Sequence, residues 1–176
     1  MSDEMPPPPP PPPPPGYAAQ PPTGPRPGEL LDRFLARLID GIIIAVVYFV
    51  LAAIVAVIIR SGLLRGVIDA VLSAALYLGY FAYMESSQGK TIGKSVLKLR
   101  VLGPAGGNPT MEQAIRRNIW TAFGIAGIIP ILGAVIGAVA QLVAVVMIAI
   151  GISNDTVNRQ AWNDKFAGGT RVIKEG

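Results

Sequence analysis

The chain of 176 residues has no cysteine and no histidine. Without thiols there is no disulfide, thiolate ligand or thiol nucleophile, and without imidazole the commonest general base and metal ligand are missing. Charge is scarce too, with Asp, Glu, Lys and Arg together only 15% of the residues. No arrangement of carboxylates, lysines and serines makes good the loss, so the reading is of a protein that is not an enzyme and carries no metal or cofactor. What the chain has instead is apolar surface. Hydrophobic residues are 51% of it and the mean hydropathy is +0.49, gathered in runs rather than in periodic stripes. The isoelectric point near 9.6 is explained by basic residues beside those runs and calls for no nucleic acid.

Proline divides the chain. Of its 17 prolines 14 precede residue 28, ten of them consecutive from 6 to 15. Such a run favours a polyproline II rod of about 31 Å at about 3.1 Å per residue, and its composition cannot bury enough apolar surface to fold. Residues 1–28 are therefore read as a disordered proline-rich tail and 29–176 as one membrane domain. The tail is a spacer or, alternatively, bait for an aromatic-lined groove on a partner protein. It is not a secretory signal, since Asp3, Glu4 and prolines open the chain and the first apolar run begins only at residue 41.

Three apolar stretches follow. Gly41 to Ile59 holds 19 residues without a charge, enough to cross roughly 28 Å as a helix against a hydrocarbon core of about 30 Å. Val67 to Met84 is the second span, with Asp69 near its start and Tyr77, Tyr80, Phe81 and Tyr83 toward its end, where aromatic rings favour the interface. Ile119 to Ile152 holds 34 uncharged residues, about 51 Å as one helix, which is too long for a single crossing. Lys and Arg collect on the cytoplasmic side of membranes. If both ends and the central loop lie there, 13 of the 15 basic residues do, and the third stretch must cross twice, bending near Pro130 to Gly133. The expected fold is thus an all-α bundle of about four transmembrane helices, the third short or re-entrant, with cytoplasmic N- and C-termini. The alternative is one tilted third helix and an external C-terminus.

The loop from Glu85 to Arg117 has order of its own. Val96 to Leu102 alternates partly and reads as a strand able to pair with Arg171 to Ile173. Thr110 and Gln113 form a capping box that starts a helix at Met111 and carries Arg116 and Arg117 to the membrane surface. Gly89-Lys90-Thr91 and Gly93-Lys94-Ser95 suggest a phosphate loop, but Met84 and Gln88 stand where it requires the earlier glycine, so nucleotide binding is rejected. Lys90, Lys94 and Lys98 are read instead as a juxtamembrane basic segment attracted to anionic lipid headgroups at about 1 kcal/mol each. Gly133 and Gly137, Ala52 and Ala56, and the lone amide Gln141 are suited to close helix packing, within one bundle or in a homodimer.

Arg33, Arg37 and Asp40 share one helical face at i, i+4 and i+7. Asp40 abuts the first apolar run, where a carboxylate is costly and marks a functional position by default; the plainer reading pairs it with Arg37. Asp164, after the last span, is on its own a solvated charge or a helix cap, and Asp69 an interfacial charge near Arg65.

These residues carry a resemblance. Arg33-Phe34-Leu35-Ala36-Arg37-Leu38-Ile39-Asp40, then Gln88-Gly89-Lys90-Thr91-Ile92-Gly93-Lys94 with Leu99-Arg100-Val101, then Arg117-Asn118, and finally Asn163-Asp164-Lys165-Phe166-Ala167-Gly168-Gly169-Thr170-Arg171-Val172 resemble the RDD family of bacterial membrane proteins over roughly residues 30 to 174. Ile92 stands where that family commonly has proline and Asn163 where it often has histidine. The resemblance implies a multi-pass protein of the bacterial plasma membrane connected with transport, some members with sodium/proton exchange. It also implies that the family's arginine and two aspartates are Arg33, Asp40 and Asp164, with Arg37, Gly89, Gly93, Lys94 and Arg117 in supporting places. Arg33 and Asp40 lie about 10.5 Å apart along a helix axis, so a third group is expected to bridge them. The expectation is that the C-terminal segment folds back under the bundle and brings Asp164 to Arg33, in a polar cluster that admits a cation, proton or small solute. The competing expectation is a membrane anchor that recruits a partner through its tail.

Overall fold

The computed structural model describes residues 25–129 and 131–175. The expected polyproline rod and Pro130 at the expected bend lie outside the described residues. The chain runs β1 (Arg26–Pro27), α1 (Leu30–Ile58), α2 (Gly62–Gln88), α3 (Ile92–Val96), β2 (Leu99–Leu102), α4 (Met111–Asn118), a 3₁₀ helix (Ile119–Ile128), α5 (Leu132–Asn154), α6 (Trp162–Phe166) and β3 (Arg171–Lys174). Among the described residues three helices, α1, α2 and α5, are long and apolar enough to cross a bilayer. Four were expected. The missing crossing is the 3₁₀ helix, whose ten residues rise about 20 Å at about 2.0 Å each, short of the hydrocarbon thickness.

Local chemistry sets the ends of these elements. At 29 residues, α1 extends about 44 Å, long enough for its uncharged part after Asp40 to span a hydrocarbon core of about 30 Å while the turns carrying Arg33 and Arg37 precede that part. Ser61 caps α2 by accepting from Leu64 N–H, and Gly89 ends it with φ +72°, a left-handed conformation that glycine adopts without steric cost. Thr110 and Gln113 form the expected capping box at 3.2 and 2.9 Å. In the most apolar window of α1 only 6% of residues are buried within the chain, as lipid-facing helix surface requires.

The 3₁₀ helix and α5 form the expected hairpin. A β-carbon on Gly133 would collide with the Ala126 carbonyl oxygen, and one on Gly137 would lie 2.7 Å from that of Phe123. Small residues thus let the two arms touch backbone to backbone, and the glycine pair is consumed within the chain.

Below the helices lies a small cap that amends the all-α expectation. β1, β3 and β2 form a three-stranded antiparallel sheet in that order, with Arg100 opposite Ile173 and Pro27 also opposite Ile173. The expected strand at Val96 begins only at Leu99, because Thr91 caps a helical turn over Ile92–Val96 first. Leu99, Val101 and Val172 pack with Ala36 of α1 in a buried cluster, fixing the foot of α1 onto the sheet. Since β1 precedes α1 and β3 follows α6, both ends of the described chain lie on one side of the bundle.

Candidate functional site: a buried ionic cluster and its cavity

Where the foot of α1, the end of α2 and the cap meet, charged side chains are buried in three groups, two of them linked. Glu85, in the last turn of α2, accepts from Lys94 Nζ at 2.8 Å, Arg117 Nη1 at 3.1 Å and Asn118 Nδ2 at 2.9 Å. Asp164 accepts from Arg117 Nε at 2.8 Å, Arg33 Nη1 at 3.3 Å, Thr170 Oγ1 at 3.3 Å and Ala161 N–H at 3.2 Å. Arg117 therefore bridges the two carboxylates and ties α2, α4 and α6 together. The third group surrounds Asp40, whose Oδ1 accepts from Tyr80 Oη and Gly93 N–H, both at 2.7 Å, and whose Oδ2 accepts from Thr91 Oγ1 at 2.5 Å.

Each arrangement follows from local structure. Gly93 stands where α3 meets α1, and a β-carbon there would collide with the Ala36 carbonyl oxygen; glycine lets its N–H reach Asp40. Asp164 caps its own helix by accepting from Ala161 N–H, which holds the carboxylate toward the arginines. Burial pulls Lys94 below the ordinary lysine range against the opposing pull of Glu85. For Arg117 burial acts downward as well, but Glu85 and Asp164 outweigh it and raise the pKa. Removing either carboxylate would strand a buried cation.

The residues read from the sequence divide between these groups. Arg33 meets Asp164, but Asp40 joins neither: its oxygens are held by uncharged donors, and among the described residues no group bridges it to Arg33. The plainer Arg37–Asp40 pair is not formed either. Arg37 Nη1 donates to Asn118 Oδ1 at 3.1 Å, and its guanidinium lies 3.6 Å from the ring centre of Phe81 and 4.7 Å from that of Trp120. Lys94 is not at the lipid surface, since it is buried against Glu85. Lys90 pairs with Glu175 at 3.2 Å, and Gly89 accepts from Val101 N–H, joining the α2 end to the sheet. The sequence reading missed Glu85 and Asn118. The signal for Glu85 was the one used for Asp40, an acid at the edge of an apolar span.

Beside the cluster lies a cavity of about 450 Å³. Its charged lining comprises the cations Arg33, Arg37, Lys94 and Arg117 against the anions Glu85 and Asp164, an excess of positive charge. Among the described residues Arg37 has no carboxylate at ion-pair distance. Among the described residues two donors lining the cavity, Arg33 Nη2 and Trp120 Nε1, and one acceptor, Asn163 Oδ1, are buried without a hydrogen-bond partner. Among the described residues no group of three acidic, histidine or cysteine side chains could hold a metal ion.

Residues 27–168 match the family model of the RDD family. The chain belongs to the RDD family. The match runs from β1 to α6 and so includes Arg33, Asp40, Glu85, Lys94, Arg117 and Asp164. No curated protein and no solved structure matches this RDD chain.

Proposed function

We propose that this RDD protein is a non-enzymatic, multi-pass protein of the bacterial plasma membrane that receives an anionic group in the cavity at the foot of α1. The carrying observation is the excess of positive charge there: among the described residues Arg37 has no carboxylate at ion-pair distance, and Arg33 Nη2 and Trp120 Nε1 are buried without acceptors. A buried donor without a partner costs about 1–3 kcal/mol, which a ligand oxygen recovers. The reading favours solute over cation or proton. Asp40, Glu85 and Asp164 already accept hydrogen bonds from three or more protein donors each, leaving no carboxylate poised to ligate a cation. Most basic residues of the described chain belong to the sheet side, which by the positive-inside tendency favours a cytoplasmic place for that face and for the two ends of the described chain.

The test is thermal unfolding of the full-length chain in neutral detergent, with glycerol phosphate titrated at constant ionic strength. Stabilisation of about 1.4 kcal/mol is expected at ten times the Kd, and Arg37→Gln is expected to abolish it. Sodium replaced by choline is expected to make no difference. Sodium-dependent proton flux in proteoliposomes that Asp164→Asn removes, without any anion effect, would overturn the reading in favour of a cation.

A further inference from the structure

The cavity has a second half that a soluble anion would leave wet. Above the charged floor its walls are apolar: Leu38, Ile42 and Ala45 on α1, and Val145, Ile148 and Ala149 on α5. From Arg37 to Ala45 the wall rises about 12 Å along α1, within the part of that helix that enters the hydrocarbon. Although they line the cavity, Leu38, Ile42 and Val145 are 50%, 58% and 40% exposed. Its flank therefore opens sideways between α1 and α5, toward what in a membrane is acyl chain. A slot with a cationic end at the interface and a greasy end in the bilayer matches one ligand chemistry, a negatively charged head joined to a hydrocarbon chain. The volume of about 450 Å³ falls in the usual range for small-molecule sites, about 300–1,000 Å³.

We infer that the cavity takes an anionic lipid that enters from the bilayer between α1 and α5, its head against Arg33, Arg37 and Trp120 and an acyl chain along the apolar wall. This rests on the anion-binding reading above and adds the route of entry and the class of ligand. The head supplies acceptor oxygens to Arg33 Nη2 and Trp120 Nε1. The chain replaces water against the aliphatic wall, at about 0.8 kcal/mol per buried methylene. A zwitterionic lipid brings its own cation into a site that already has an excess of them, so charge selects the head.

The full-length chain in neutral detergent is titrated with dioleoyl phosphatidylglycerol, with dioleoyl phosphatidylcholine, and with glycerol phosphate, and bound lipid is counted by native mass spectrometry. Phosphatidylglycerol is expected to bind at least about tenfold more tightly than phosphatidylcholine, the effect of one charged hydrogen bond. It is also expected to bind at least about a hundredfold more tightly than glycerol phosphate, which lacks the chains. Arg37→Gln should remove the headgroup preference, and Ala149→Phe, which fills the slot, should weaken phosphatidylglycerol about tenfold. A second readout needs no cavity variant. The chain has two tryptophans, and in a Trp162→Phe background phosphatidylglycerol brominated on its acyl chains should quench Trp120 more than brominated phosphatidylcholine does. Equal binding of the two lipids, or quenching that ignores the headgroup, overturns the inference. If glycerol phosphate binds as tightly as phosphatidylglycerol, the lipid inference fails and the anion reading stands; if none of the three binds, both fail.

Discussion

Gly93 does two things at one backbone position: it lets α3 approach the Ala36 carbonyl of α1, and its N–H donates to Asp40 at 2.7 Å. Gly93→Ala is expected to lower stability by about 1–3 kcal/mol, the usual cost of overpacking, read as a lower melting temperature in detergent. Asp164 and Asp40 differ in what they leave behind when neutralised. Asp164→Asn leaves Arg33 without its carboxylate and Arg117 with Glu85 alone, with an expected loss of about 3–5 kcal/mol. Asp40→Asn faces only uncharged donors and is expected to cost less, about 1–3 kcal/mol; comparing the two denaturation midpoints checks the order. Asp155 offers a test by pH. N–H groups of Asn158, Gln160 and Val157 donate to its carboxylate and hold its pKa below the ordinary value. The depression means that this contribution is complete above the ordinary aspartate pKa, about 3.9, and is lost as pH falls through the lower folded value. Protection of the Val157, Asn158 and Gln160 amides, measured as the hydrogen-exchange rate relative to the intrinsic rate at each pH, is expected to fall in that acid window and to be lost already at neutral pH in Asp155→Ala.

At the scale of elements, hydropathy made the crossings legible, because in lipid an uncharged run reports directly on the solvent it faces. The bend between the 3₁₀ helix and α5, the capping box at Thr110 and the pairing of Leu99–Leu102 with Arg171–Lys174 followed from equally local signals. The shortness of the third arm did not. Ile119–Ile128 is as apolar as a crossing helix, and its backbone choice is set by packing against α5 through Gly133 and Gly137, a tertiary effect that composition does not carry. The cluster was half legible for a similar reason. Arg33, Asp40 and Asp164 each stand out alone, but the partition that gives Asp164 to the arginines and Asp40 to Tyr80, Thr91 and Gly93 depends on contacts across 40 to 131 positions. Gly133→Leu is expected to prise the two arms apart and to expose the 3₁₀ helix to limited proteolysis, while the capping-box variant Thr110→Ala is expected to cost only about 1 kcal/mol.

For the molecule as a whole, the sheet couples the chain's two ends to the ionic cluster. Gly28 N–H donates to Val172 O at 2.8 Å, and Gly28 O accepts from Arg33 Nε at 3.0 Å. Truncation through Gly28 removes β1 and is expected to lower the melting temperature. Because the natural chain lacks cysteine, single cysteines at Arg26 and at Lys174 can be labelled in intact cells without background; both are expected to react from the same membrane face. The strand that closes this sheet is also the last to be synthesised, after all three crossings. Until Asp164 and β3 emerge, Arg33 and Arg117 lack the counter-charge that Asp164 gives them. On the cytoplasmic orientation proposed above, the same arginines serve twice in time, first as positive markers beside a nascent helix and then, once paired with Asp164, as a clasp between α1, α4 and α6.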